Sequence, residues 1–172
     1  EDTPLAAPVQ EGFAVRAKVA TQLAGEMDAA GRNALTARGF SAEARRIGRL
    51  MASDYNLGFV DVGGWDTHVN QGGAKGDLAN RLGSLAQGLA QLPDAMGTAW
   101  RDTTVVVVSE FGRTFRQNGN RGTDHGHGTV YWVLGGAVRG GRVVGEQVSV
   151  DAGHLFQNRD HPVLNEYRAV LG

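Results

Sequence analysis

The stretch TTVVVVSE, Thr103 to Glu110, decides how the rest of the chain is read. Its valines run without polar alternation, so neither face of the strand they form is reserved for water. Strands of that kind sit in mainly parallel sheets covered by helices. The segment TVYWVLGG (Thr129–Gly136) reads as another strand, and LGFVDV (Leu57–Val62) as a further one.

Helices fill the intervals. Residues 12–30 carry Phe13, Ala20, Leu23 and Met27 along one stripe. The segment SAEARRIGRLMASD opens on Ser41, a capping residue type, with Glu43 well placed against the helix dipole. Ile47, Leu50 and Met51 form its expected buried face. Between residues 77 and 100, Leu78, Leu82, Leu85, Leu89 and Leu92 step by three and four along one side. Pro93 lacks an N–H and is expected to kink or split that segment. In the tail NRDHPVLNEYRAVLG, Pro162 marks the expected first position of a closing helix. The order predicts a single α/β domain over residues 1–172, with a mainly parallel sheet flanked by helices. Three strands are few for such a sheet.

Composition narrows the function classes. The chain has 172 residues, 41% hydrophobic and 20% charged, with a formal net charge of -1. That balance offers no electrostatic case for nucleic acid or an anionic membrane surface. No apolar run reaches the roughly 18 residues of a membrane helix, so no membrane insertion is expected. The opening EDTPLAAPVQEGF shows neither the basic nor the apolar region of an export leader. Cysteine is absent, which excludes disulfides and thiolate ligands. Glycine, at 26 residues, has about twice its usual share and collects in 58–76, 112–128 and 135–145. Such clusters between apolar strands read as shaped loops, or, less interestingly, as flexible links.

In an open α/β sheet, ligands bind beyond the carboxyl ends of strands. Three loops should meet there. GGWDTH carries Asp66 and His68; SEFGRT carries Glu110 and Arg113; GTDHGHG carries Asp124, His125 and His127. Imidazole nitrogens and carboxylate oxygens together suit a divalent metal such as zinc, manganese or iron. Each loop alone could be ordinary surface polarity, and the two histidines of DHGH could bond to backbone instead. Two metals about 4 Å apart would be the arrangement for in-line displacement at phosphorus or sulfur. Arg113 would then hold an anionic oxygen, or form an ion pair with Glu110. Trp65 reads as packing for its loop or as a stacking platform. His154 and His161 stand apart and read as surface or capping residues. A Ser109–Asp124–His125 triad is disfavoured because no G-x-S-x-G elbow surrounds the serine.

The motifs GGWDTH, SEFGRT and GTDHGHG, followed by VLGGAVRGGRVVGE and RDHPVLNEYRAVLG, resemble the exported bacterial family filed as domain of unknown function fifteen-oh-one. That family is similar to the sulfatases and the alkaline phosphatase superfamily. The resemblance runs from about residue 12 to 171. It implies an alkaline-phosphatase-like fold, of which this chain would be an incomplete C-terminal portion. It also implies metal ligands at Asp66, His68, Glu110, Asp124, His125 and His127, with Glu110 and Arg113 catalytic. The superfamily's acid–imidazole pair at the second strand end is here Glu110–Phe111, so one imidazole is missing. Asp124 or His127 would replace it. The cofactor implied is a divalent cation, with zinc, manganese, calcium and magnesium all open. The resemblance further implies a periplasmic or extracellular location, reached by twin-arginine export. It implies a small anionic ester as substrate, and the N-terminal remainder of the same polypeptide as partner and source of the nucleophile. The function expected is therefore metal-dependent hydrolysis of phosphate or sulfate esters. The alternative is a non-catalytic exported protein that keeps a partial metal site.

Overall fold

The computed structural model describes residues 34–53, 55–109 and 111–171. The helix expected over 12–30 lies outside them. Among the described residues the chain is mixed α/β, with three small two-stranded sheets. Strand β1 (Leu35–Thr36) runs directly into α1 (Ala37–Ser53) and pairs in parallel with β2 (Val62–Gly63). Helices α2 (Asp77–Leu89) and α3 (Leu92–Met96) follow, then a 3-10 turn, Gly97–Asp102. Strands β3 (Thr104–Val107) and β6 (Trp132–Gly135) pair antiparallel, as do β4 (Gly112–Arg113) and β5 (His125–Gly126). Helix α4 (Tyr167–Leu171) closes the described chain.

The valine run corrects the expectation of a mainly parallel sheet. Its partner β6 is antiparallel, with Val105 opposite Leu134, Val106 opposite Val133 and Val107 opposite Trp132. Opposed residues share a face and successive residues alternate. Val105 and Val107 therefore pack against the core, while Val106 and Val133 stay 41% and 44% exposed. An unbroken apolar run does not by itself cover both faces. Of LGFVDV, only Val62 enters a strand, and Leu57 and Phe59 are exposed.

The core forms between α1, α2 and α3, where Phe40 and Ala44 meet Leu85, Leu92 and Met96. Glycines let the helices close. A Cβ on Gly88 would lie 2.7 Å from the Phe40 ring, and one on Gly48 would lie 2.6 Å from Ala95. Gln91 ties the helices further, donating from Nε2 to the Ser41 and Gln87 carbonyls at 3.1 and 3.2 Å.

Helix ends follow local chemistry. The expected cap at Ser41 is corrected: α1 starts one turn earlier, where Thr36 Oγ1 accepts the Gly39 N–H at 3.0 Å. Leu50 of its expected buried face is 45% exposed, while Ile47 and Met51 pack on the core. The break before Pro93 agrees with expectation, the proline sitting in the first turn of α3, where no N–H is needed. Pro162 does not open a helix. The tail stays irregular until Tyr167.

Candidate metal centre

The loop leaving β2 turns sharply at Gly64, whose φ of 92° favours a residue without Cβ. Trp65 then folds back, its indole N–H donating to the Val62 carbonyl at 2.7 Å while its ring packs on the core. That is the packing role rather than the stacking platform. Trp65→Phe is expected to cost about 1 kcal/mol, the worth of one such bond, read by urea denaturation. Tight backbone bonds follow, Thr67 N–H to the Trp65 carbonyl and His68 N–H to the Asp66 carbonyl. They aim Asp66 and His68 at one side.

Strands β4 and β5 bring in the rest. Their register sets Arg113 opposite His125. His68 Nε2 lies 2.8 Å from Asp66 Oδ1 and His125 Nε2 lies 2.9 Å from the same oxygen. Donor atoms of Asp66, His68 and His125 all fall within 4.8 Å of one another. The His68 and His125 rings stack at 5.0 Å, and Phe111 stacks on His125 at 3.9 Å. The residue that stands where an imidazole was expected thus buttresses another one. The Asp66 side chain is 66% exposed, so its ion pairs add little stability. Its carboxyl is held below the usual carboxylate range, chiefly by the His125 bond, with His68 and Arg113 charges adding.

Arg113 is fixed by hydroxyls. Its Nε donates to Thr123 Oγ1 at 3.1 Å, Nη2 to Thr67 Oγ1 at 3.3 Å and Nη1 to Asp66 Oδ1 at 3.2 Å. Both threonine hydroxyls donate onward to Gln71 Oε1, each at 2.7 Å. Thr67 and Thr123 are buried, so this network sets the guanidinium from behind. Glu110, expected as ligand and catalytic residue, lies outside the described residues.

Two expected ligands sit elsewhere. Asp124 stands behind His68, 3.4 Å from Nδ1, and takes the Asn118 amide at 2.9 Å and Arg159. Asn118 is the main cause that holds its carboxyl low, with Arg159 and His68 adding. A carboxylate on one imidazole nitrogen orients the other toward a cation. His127 turns to Asp160 instead, Nδ1 to Oδ2 at 2.7 Å, with Phe156 edge-on to its ring. Asp160 is buried and also takes the backbone N–H groups of His127 and His161, both at 2.7 Å. His154 caps its own turn through Asp151, as a surface residue would.

A family model described as a protein of unknown function (DUF1501) matches residues 3–171. The chain belongs to that family. No curated protein and no solved structure matches it. In this DUF1501 chain the motifs did not single out Thr67, Gln71 and Thr123, which set Arg113, or Asp160, which holds His127 away from the group. Asp160 had a signal, its place beside His161 and Pro162 in RDHP, but its partner lies 33 residues away. Among the described residues, no helix is long and apolar enough to cross a membrane.

Proposed function

We propose that this chain carries the metal-binding part of a hydrolase for phosphate or sulfate esters, of the alkaline-phosphatase and sulfatase type. The observation that carries the reading is the convergence of Asp66, His68 and His125. Donors around a tetrahedral zinc are roughly 3.3 Å apart, given bonds near 2.0 Å. The two spacings to Asp66 Oδ1, 2.8 and 2.9 Å, would open by about half an ångström, and the imidazole donors lie within 4.8 Å of each other. Two imidazoles and one carboxylate favour zinc or manganese over calcium or magnesium, which prefer oxygen. When bound, such a cation acts as a Lewis acid and lowers the pKa of water. Asp124 would orient His68 for it, Phe111 would steady His125, and Arg113 would offer a positive charge to an anionic ester. Such a protein would act outside the cytoplasm. Another part of the polypeptide would supply the nucleophile and the rest of an alkaline-phosphatase-like sheet.

A non-catalytic metal protein is the second reading, favoured by a specific observation. Asp124 and His127 are engaged by Asn118, Arg159 and Asp160, so among the described residues only one three-donor group forms. Elemental analysis of the whole polypeptide, with the part that supplies the nucleophile, together with an aryl phosphate and an aryl sulfate assay, separates the two. One ion per chain is expected, and His68→Ala should weaken zinc binding about 100-fold or more. Turnover lost with the metal supports the hydrolase. Metal bound without turnover supports the second reading, and metal retained by His68→Ala sinks both.

A further inference from the structure

A polar cleft of about 320 Å³ opens between the first turns of α1 and α2. It lies at the carboxyl end of the β1–β2 pair, since α1 leaves β1 directly. Thr36 and Arg38 line one wall, and Asp77, Asn80, Arg81 and Ser84 line the other. Its volume falls in the range of small-ligand sites.

The lining carries more positive than negative charge. Two guanidiniums stand against one carboxylate, and that carboxylate is already used: Arg81 Nε donates to Asp77 Oδ2 at 2.9 Å. Among the described residues, this is the ion pair that Arg81 makes, so its terminal nitrogens keep their donors. The arginine is also given room. A Cβ on Gly64 would lie 2.4 Å from Arg81 Nη1, so the bare glycine backbone of the loop that leads to Asp66 leaves room for the guanidinium in this position. Thr36 Oγ1 accepts the Gly39 N–H with its oxygen, which leaves the hydroxyl hydrogen for another acceptor. The Asn80 amide and Ser84 hydroxyl complete the set.

We propose that this cleft binds a tetrahedral oxyanion of the phosphate or sulfate type, gripped by Arg38 and Arg81. Planar forks of N–H donors match such oxygens in pairs, which single-point cations do not. The site is separate from the Asp66–His68–His125 group, and its existence does not depend on a bound metal. The anion could arrive free or as the charged group of an organic ester.

Amide NMR of the full chain, treated with chelator, tests this. Inorganic phosphate is added to about 10 mM, where a millimolar site saturates. Saturable shifts are expected at Thr36, Arg38, Gly39, Asn80, Arg81 and Ser84. Arg81→Gln and Arg38→Gln should each weaken binding at least about fivefold; both side chains are partly or fully exposed, so folding is preserved. A parallel titration with phenyl phosphate identifies the source: tighter binding assigns the ester, and equal binding the free anion. No shifts, shifts confined to Asp66, His68 and His125, or full affinity in both variants would overturn the proposal. A chain that binds phosphate here yet takes up no metal would refute the metal reading alone.

Discussion

Gly122→Ala is expected to destabilise the chain by about 3 kcal/mol and to dismantle the site around His68. An added Cβ would sit 2.2 Å from both the carbonyl carbon and oxygen of His68, and 2.6 Å from the Thr67 oxygen. These are backbone atoms, so no side chain can swing aside. Gly122 cannot retreat cheaply either. Its N–H donates to Asn118 Oδ1 at 3.0 Å, and its carbonyl accepts the Asn118 N–H at 2.9 Å. Overpacking costs roughly 1–3 kcal/mol and each broken bond about 1 more. Gly119→Ala in the same loop is the control. Its Cβ would meet nothing within 4 Å, so a change under about 0.5 kcal/mol is expected. Urea denaturation of both variants decides the matter, and equal stabilities would contradict the packing of the two loops.

Asp160→Ala should cost about 2–3 kcal/mol, the worth of the bonds a buried carboxylate makes to backbone N–H groups, because its ring partner His127 is 67% exposed. The carboxylate takes His127 Nδ1 and the His127 and His161 backbone N–H groups, and alanine removes the acceptor of both backbone groups while the exposed ring can turn to water. Asp160→Asn should cost less, because it keeps one acceptor oxygen. The pH dependence has a definite sign. Burial pushes the Asp160 carboxyl upward and is the largest single influence, but the His127 ring bond, the two backbone N–H bonds and the His127 charge together hold it below its usual 3.8. A depressed folded-state pKa favours the charged form in the native chain. Its stabilisation is therefore complete above the ordinary carboxylate value and drains away as the pH falls through the folded value. Thermal melts below about pH 4 should show wild type losing stability more steeply than Asp160→Asn. Parallel curves would remove Asp160 from this role.

Several features could be read before any coordinates. Pro93 declares a helix start as plainly as a break, and the chain uses it so. Asp66, His68 and His125 were legible because acid and imidazole recur on glycine-rich loops after apolar runs. Other features were hidden by the same local logic. Ser41 with Glu43 looks like a helix start, yet Thr36 caps α1, because β1 ends there and Gly39 N–H is within reach. The valines of Thr103–Glu110 announce burial, but pairing direction is fixed by β6, which the run cannot encode. Asp124 and His125 are neighbours in an extended segment, so they face opposite ways. One consequently stands behind His68 while the other meets Asp66. His127 left the group because a buried carboxylate far along the chain claims it.

Asn118 spends all its polar valences at one junction. Nδ2 donates to the His68 carbonyl at 3.0 Å and to Asp124 at 2.9 Å, while Oδ1 receives the N–H of Asn120 at 2.9 Å and of Gly122 at 3.0 Å. The β2 loop and the β4–β5 connection consequently behave as one mechanical body. Opening either one is expected to break bonds that hold the other.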